Sequence, residues 1–387
     1  MVDATTTQAA RSGDPVALTR LLVSVPSVNP TLAPGGAGEA EMAVVCASLV
    51  EGWGLETSIH EVVPGRSNVV ARLPGAGPTL LLNGHLDTVG VESMTVPPFD
   101  GAMDGGRILG RGSCDMKGGV AALMTAVHRL ALSERRPNVI VALTADEEHT
   151  SVGMDAFVRS GVQADLAVVC EPTSLKVMPA HKGFVWLRAV FLGRAAHGSR
   201  PDQGVDAIRH AALYLASLDD YGRELRSRAP HPLLEFGSYH AGTISGGTAE
   251  SVYPDRCELL LERRTMPGEQ TTEVVAEFQS VLDALGRQEP DLDACLEMTL
   301  DRPGTEVPAE SVLVQGLLRA SEVFGVEPTV EGMTAWVDAA FLNEAGIPAV
   351  CFGPGSIAQA HSADEWIEAD EIRVCTDILE DFALGLL

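Results

Sequence analysis

The chain has 387 residues, 45% of them apolar, and its 27 basic and 53 acidic side chains leave a formal charge of −26. This composition excludes bulk disorder, and the acidity repels phosphate backbones and anionic lipid, so neither nucleic acid nor membrane is expected as a partner. No apolar run approaches the ~20 residues of a membrane span, and "MVDATTTQAARSGD" lacks the basic-then-apolar order of a signal peptide, which makes the cytoplasm the expected location.

The length exceeds the ~250 to 300 residues at which single cores stop growing, so two units are expected. In chain order, residues 14–25 and 39–53 carry helical apolar spacing. "SNVVARL", "TLLLNGH", "NVIVALTA", "DLAVVCE" and "PAVCFGP" are short apolar runs of the kind that form buried parallel strands. Between them "GGVAALMTAVHRLAL" supplies a small-residue helix, and the alternation predicts an α/β core with a mostly parallel central sheet.

From 182 to 301 the order changes. Strand 185–194, helix 203–218, strands 239–245 and 256–265, helix 270–285 and strand 293–300 give βαββαβ, the split βαβ or ferredoxin-like arrangement. The α/β pattern resumes at a helix over 311–324. Residues 1–181 and 302–387 therefore read as one domain interrupted by an inserted one, 182–301. The seven cysteines are scattered without CxxC spacing, which fits reduced thiols better than a disulfide framework or zinc knuckle.

The ionisable residues gather at the ends of the predicted strands. His85 and Asp87 follow 79–83, Asp115 follows the Gly-rich "RILGRGSCDMKGG", Glu147 and Glu148 follow 138–145, Glu171 follows 166–170, and His361 comes soon after 349–352. In open parallel sheets the ligand crevice lies beyond the carboxyl ends of the strands. Crowded carboxylates push one another toward protonation unless cations separate them. Two histidines with several carboxylates and no thiolate suit Zn²⁺, with Mn²⁺ or Co²⁺ as alternatives, and the number of carboxylates allows two metals sharing a bridge. His85 and Asp87, two apart on an extended backbone, face one side, so Asp87 is expected to orient the His85 ring.

"LLLNGHLDTVG", "GRGSCDMKGG", "TADEEHTSVG", "VVCEPTSLKVMPAHKG", "AAHGSRPDQGVDAI", "ERRTMPGE" and "FGPGSIAQAHSADEWI" stand in the order and spacing of a di-zinc deacylase and exopeptidase family. That family contains acetylornithine deacetylase, succinyl-diaminopimelate desuccinylase, carboxypeptidase G-type enzymes and aminoacylases. The chain resembles it over nearly its whole length, and "EPTSL…AHKG" with "GPGSIAQAH" is most similar to acetylornithine deacetylase.

The resemblance implies a zinc-peptidase-like catalytic domain with an inserted lid and dimerisation domain, and hydrolysis of the amide bond of an N-acyl amino acid by a metal-bound hydroxide. Asp115 would bridge two metals, His85 and Glu171 completing one site and Glu148 and His361 the other. Glu147 would be the general base, Asp87 the orienter of His85, and the Asp115–Met116 peptide cis. His197 would reach the partner subunit's active site of a homodimer to hold the oxyanion, and Arg264 would grip a substrate carboxylate. Ser251, where many relatives have Asn, and Gly353 and Gly355 of the "GPGS" turn are further substrate-binding candidates. Glu262 in place of the usual Asp and Trp336 near the recognition loop are departures from the family pattern. A dipeptidase or carboxypeptidase of the same chemistry, acting on a dipeptide, is the alternative. A binding protein that has lost catalysis is a third reading, against which the retention of Glu147 speaks.

Overall fold

The structure, a computed structural model, describes residues 2–387. Its inner strands form where apolar β-branched runs are long enough to be buried on both faces, and six strands lie side by side in the order Glu56–Val63, which is polar and mostly exposed, Arg66–Leu73, Pro137–Thr144, Ala76–His85, Leu166–Val169 and Ala349–Cys351. The last four pair in parallel, whereas the first two are antiparallel additions at one side. Leu80, Leu81, Leu82, Val139, Val141, Val168 and Val169 are fully buried, as strands covered on both faces require.

Helices cover this sheet. Pro15–Val23 starts at Asp14, whose carboxylate accepts from Ala17 N, with proline at the first helical position, where its missing N–H costs nothing. Gly118–Leu132, rich in alanine and glycine, is buried along most of its length. Val312–Val323 is capped by Ser311, and Ala369–Gly385 completes the layer. One apolar core runs through these elements, from Leu18 and Met42 to Leu379 and Phe382. A helix the sequence reading did not anticipate, Ala4–Arg11, is nucleated by Asp3, whose side chain accepts from Thr6 N.

Backbone contacts divide the chain into two units. One comprises Met1–Pro179, Val307–Glu331 and Val337–Leu387, the other Ala180–Glu306 and Gly332–Trp336. The second is a four-stranded antiparallel sheet in the order Ser238–Gly246, Arg256–Thr265, Gly183–Leu192 and Asp293–Arg302. Helices Ala207–Ser227 and Thr271–Gly286 bury Tyr214, Leu218, Phe278 and Leu282 against Val185, Leu187, Phe191 and Leu259. This is the ferredoxin-like order. The first helix begins later than the spacing suggested, because Asp206 caps it by accepting from Arg209 N, and it runs on to Ser227. Among the described residues no helix is long and apolar enough to cross a membrane, and all seven cysteines are free thiols.

Candidate metal centre

His85 is the last residue of its strand, Glu171 follows the end of Leu166–Val169, and Glu147 and Glu148 lie in the turn after Pro137–Thr144. Asp115 sits before a cis peptide bond to Met116, and His361 lies in the loop between Ala349–Cys351 and Trp366–Glu368. These separate connections bring five ligand-type side chains together. One ligand atom from each of His85, Asp115 and Glu171 lies within 4.8 Å of the others, and the same holds for Asp115, Glu148 and His361. Asp115 belongs to both groups.

The individual contacts specify the chemistry. His85 Nδ1 lies 3.0 Å from the backbone oxygen of Asp87. A carbonyl only accepts, so Nδ1 carries the hydrogen. Nε2, the other ring nitrogen, faces Asp115 Oδ1 at 3.1 Å. In a neutral imidazole that would set a lone pair against a carboxylate, an arrangement only a proton or a cation relieves. His361 Nε2 is 2.9 Å from Glu148 Oε2 and 3.4 Å from Asp115 Oδ2. Glu148 Oε1 and Glu171 Oε1 are buried without a hydrogen-bond partner, which is costly for a carboxylate unless something positive lies beside it.

Acidities follow from the crowding. Burial, with Asp115 nearby, pushes Glu148 up to about 7, and burial pushes Glu171 up to about 8 against the opposing pull of His85. Glu147 is raised well above the usual range by burial and then by Glu171. Hydrogen bonds to Asp115 and Glu148 raise His361 to about 10. His85 is raised although burial opposes it, through Asp115 and the surrounding glutamates. Asp115, between two imidazoles, is held low despite its burial. Without cations these groups share protons among themselves. The donor set of imidazole nitrogens and carboxylate oxygens, two of the oxygens unpartnered, fits one or two divalent ions.

Asp87 departs from the expected arrangement. Its carboxylate stands 3.7 Å from His85 Nδ1, and its oxygens accept instead from the amides of Glu147 (3.1 Å) and Glu148 (3.3 Å) and from Asn29 Nδ2 (2.8 Å). Its backbone carbonyl is what holds the ring. Gly353 and Gly355 also differ from the expectation that they bind substrate. The Gly353 N–H donates to Thr173 Oγ1 and the Gly355 N–H to Glu371, so neither is available to a ligand. A Cβ on Gly353 would lie 2.5 Å from the Glu171 carbonyl, and Gly355 has φ +82. Gly353 is glycine because the chain packs closely against the Glu171 segment, and Gly355 because of its positive φ and the nearby Cys114 Sγ.

Arg264, Ser251 and His197 belong to the second unit. The Arg264 guanidinium pairs with Glu262 and lies 5.6 Å over the Phe184 ring. His197 Nδ1 is 2.8 Å from Ser199 Oγ, and Gly198 N donates to the Ser251 carbonyl (2.7 Å), so exposed His197 and Ser251 lie on two neighbouring segments bridged antiparallel.

Sequence reasoning passed over several residues. Glu365, fully buried, accepts from Arg111 Nη1 (2.7 Å) and from the amides of Gly112 (3.0 Å), Cys114 (2.9 Å) and Asp115 (3.1 Å), clamping the Asp115 loop. Asp338 is 1% exposed, accepts from Thr144 Oγ1 (3.1 Å), and is raised to about 7 by burial. The available signal was an acid beside apolar residues, Glu365 next to Asp364 in "SADEW" and Asp338 alone in "WVDAAF".

Residues 81–385 match the family model described as peptidase family M20/M25/M40. An acetylornithine deacetylase from Myxococcus xanthus is 31% identical over 320 residues, covering 81% of this chain and 82% of that protein. An aminopeptidase of Bacillus cereus shares the fold with a TM-score of 0.80 at 21% identity, over 96% of this chain and 98% of that one. A dinuclear metal-binding peptidase of the M20 family from Bacillus subtilis superposes with a TM-score of 0.74 at 17% identity, over 98% and 99% of the two chains.

Proposed function

This chain belongs to peptidase family M20/M25/M40, a family of metallohydrolases acting on amide and peptide bonds, and we propose that within it the chain hydrolyses the amide bond of an N-acyl amino acid, as acetylornithine deacetylase does. The observation that carries the reading is the pair of three-ligand groups sharing Asp115, with the carboxyl of Glu147 beside them. Curated relatives such as the Myxococcus xanthus acetylornithine deacetylase support the deacylase side of it. Asp115, shared by both groups, would contribute to each site, with His85 and Glu171 completing one and Glu148 and His361 the other, and Zn²⁺ would be the first choice for both.

When bound, such ions supply Lewis acidity and lower the pKa of water from 15.7 toward ~7. The protein's part is proton handling and positioning. Glu147, whose burial raises its proton affinity, takes a proton from the attacking water and returns it to the leaving amine nitrogen. The Asp87 carboxylate holds the amides of Glu147 and Glu148, and its carbonyl holds His85 in the Nδ1–H form. The Arg264 fork suits a substrate carboxylate, and His197 donates to the oxyanion from the partner subunit of a homodimer formed through the second unit, in keeping with the resemblance.

The test is a screen of metal-loaded protein against N-acetyl, N-succinyl and N-formyl amino acids beside dipeptides, with Zn²⁺, Co²⁺ and Mn²⁺ each supplied to apo protein. Turnover of an N-acyl amino acid at least tenfold above any dipeptide is the expected result. The reverse order would make the chain a dipeptidase, a reading favoured by the peptidases among its structural neighbours. Turnover of neither class would overturn both readings.

A further inference from the structure

Three successive amides at the head of the glutamate turn each end on a buried carboxylate. Asp146 N donates to Glu39 Oε1 (3.1 Å), Glu147 N to Asp87 Oδ1 (3.1 Å) and Glu148 N to Asp87 Oδ2 (3.3 Å). Asp146 adds its own carboxylate to this set. It adopts φ +71, unfavourable for a residue with a Cβ. The turn is held because Asp146 Oδ2 accepts from Thr150 Oγ1 (2.6 Å), Thr150 N (3.3 Å) and Val152 N (3.4 Å). Glu39, Asp87 and Asp146 are 0%, 0% and 2% exposed, so three carboxylates meet where no solvent screens them.

Two side chains keep them together. Arg66 donates from Nε and Nη2 to Glu39 (2.5 and 2.6 Å) and from Nη2 to Asp146 Oδ1 (2.9 Å). Asn29, fully buried, donates from Nδ2 to both Asp87 Oδ2 (2.8 Å) and Asp146 Oδ1 (3.0 Å). Its orientation is unambiguous, because Oδ1 accepts from Thr31 N at 3.0 Å, which turns the NH₂ group toward the two acids. A single amide therefore ties Asp87, two residues after His85, to Asp146, the residue before Glu147. A buried polar network satisfied in this way is stiff, and each member depends on the others.

We propose that Asn29 and Arg66 are positioning residues of the reaction: together with Glu39 they fix the Asp146 turn, and through the amides of residues 147 and 148 they set the directions of the base and of the adjacent ligand. Their contacts converge on the one segment where two neighbouring glutamates must point to different tasks. The proposal rests on the reading of Glu147 as base and Glu148 as ligand.

The test uses the full-length, metal-loaded protein. Asn29→Ala should lower kcat about 100-fold with KM within about threefold, in line with the cost of small misplacement and of losing a group behind a ligand. Chelator competition should show one of two metal equivalents held about tenfold more weakly, and the melting temperature should fall by several degrees, since two buried carboxylates lose a donor, with the protein still folded at the assay temperature. Arg66→Lys, which keeps the charge and loses the fork, should fall between wild type and Asn29→Ala. Unchanged kcat in folded Asn29→Ala overturns the proposal, and so does a loss of activity that only tracks the amount of unfolded protein. Should Asn29→Ala not fold, unchanged kcat in Arg66→Lys overturns it instead. If the wild type turns over none of the screened amides, the underlying reading has failed; the proposal is then decided by metal affinity, and unchanged affinity in both variants overturns it.

Discussion

Two clusters of buried charge, one around Arg263 in the second unit and one around Asp115 in the first, are built in opposite ways. In the second unit Arg263 is fully buried, yet its guanidinium donates to Tyr221 Oη (2.9 Å), Glu269 Oε1 (2.7 Å) and the Arg264 carbonyl, while Tyr221 passes its own hydrogen to Glu277 (2.7 Å). Every donor there has an acceptor. In the first unit Glu148 and Glu171 each keep a buried oxygen with no partner, and Glu147, Glu148, Glu171 and Asp338 are all pushed toward protonation. A completed cluster is architecture. An incomplete one of a single sign marks the place where something positive and something reactive are to be received.

Metal removal is the strongest way to break this contrast. A chelator should abolish activity, and readdition of Zn²⁺, Co²⁺ or Mn²⁺ should restore it, with hydrogen exchange rising around His85, Asp115 and His361 while the Arg263 cluster stays protected. Metal affinity should fall steadily as pH drops below about 10, because His361 is raised to about 10 by Asp115 and Glu148 and histidine binds metal only when neutral. Full activity in rigorously metal-free protein would end the di-metal reading.

Glu147→Gln comes next. It should cost about 10³-fold in kcat, within the range of general-base catalysis, and leave metal content at the wild-type level, whereas Glu148→Ala should lose about one equivalent by elemental analysis. The opposite pattern would exchange the roles of the two neighbours.

Arg263→Met should do what none of these does: destabilise the second unit by about 2 kcal/mol through loss of the fully buried guanidinium that joins Tyr221, Glu269 and the Arg264 carbonyl, with metal content unaltered. A change in metal content would dissolve the distinction between the clusters.

The smallest effect concerns His181, buried with Nδ1 on the Lys182 carbonyl (3.1 Å) and Nε2 on Thr305 Oγ1 (2.9 Å). Burial lowers it to about 4 from the ordinary 6.5. It is neutral in the fold, so its contribution is fully present above pH 6.5 and is lost as pH falls from 6.5 through 4, reaching roughly 3 kcal/mol at the low end. His181→Gln should flatten that part of the stability profile in denaturant titrations. An unchanged slope would show that the ring titrates normally.

The order of strands and helices was legible in the chain itself. Runs such as "TLLLNGH" and "NVIVALTA" must be buried on both faces, and parallel strands point their carboxyl ends the same way, so any acid or imidazole just after them is delivered to one edge. That logic gathers His85, Asp115, Glu148, Glu171 and His361 without any knowledge of distances. The family's motifs then suggested roles that spacing alone left open. Tertiary structure decided what lies behind them. Asn29, Glu39 and Arg66 sit in segments with no metal-ligand pattern, 58 and 117 residues separate Asn29 from the two acids it joins, and Glu365 reaches the Asp115 loop from 250 residues away. Nothing in local periodicity encodes such pairings, because a buried carboxylate chooses its donor by proximity after collapse. For the same reason the sequence placed the Asp87 carboxylate on His85, whereas the folded chain gives that ring a carbonyl and spends the carboxylate on two amides.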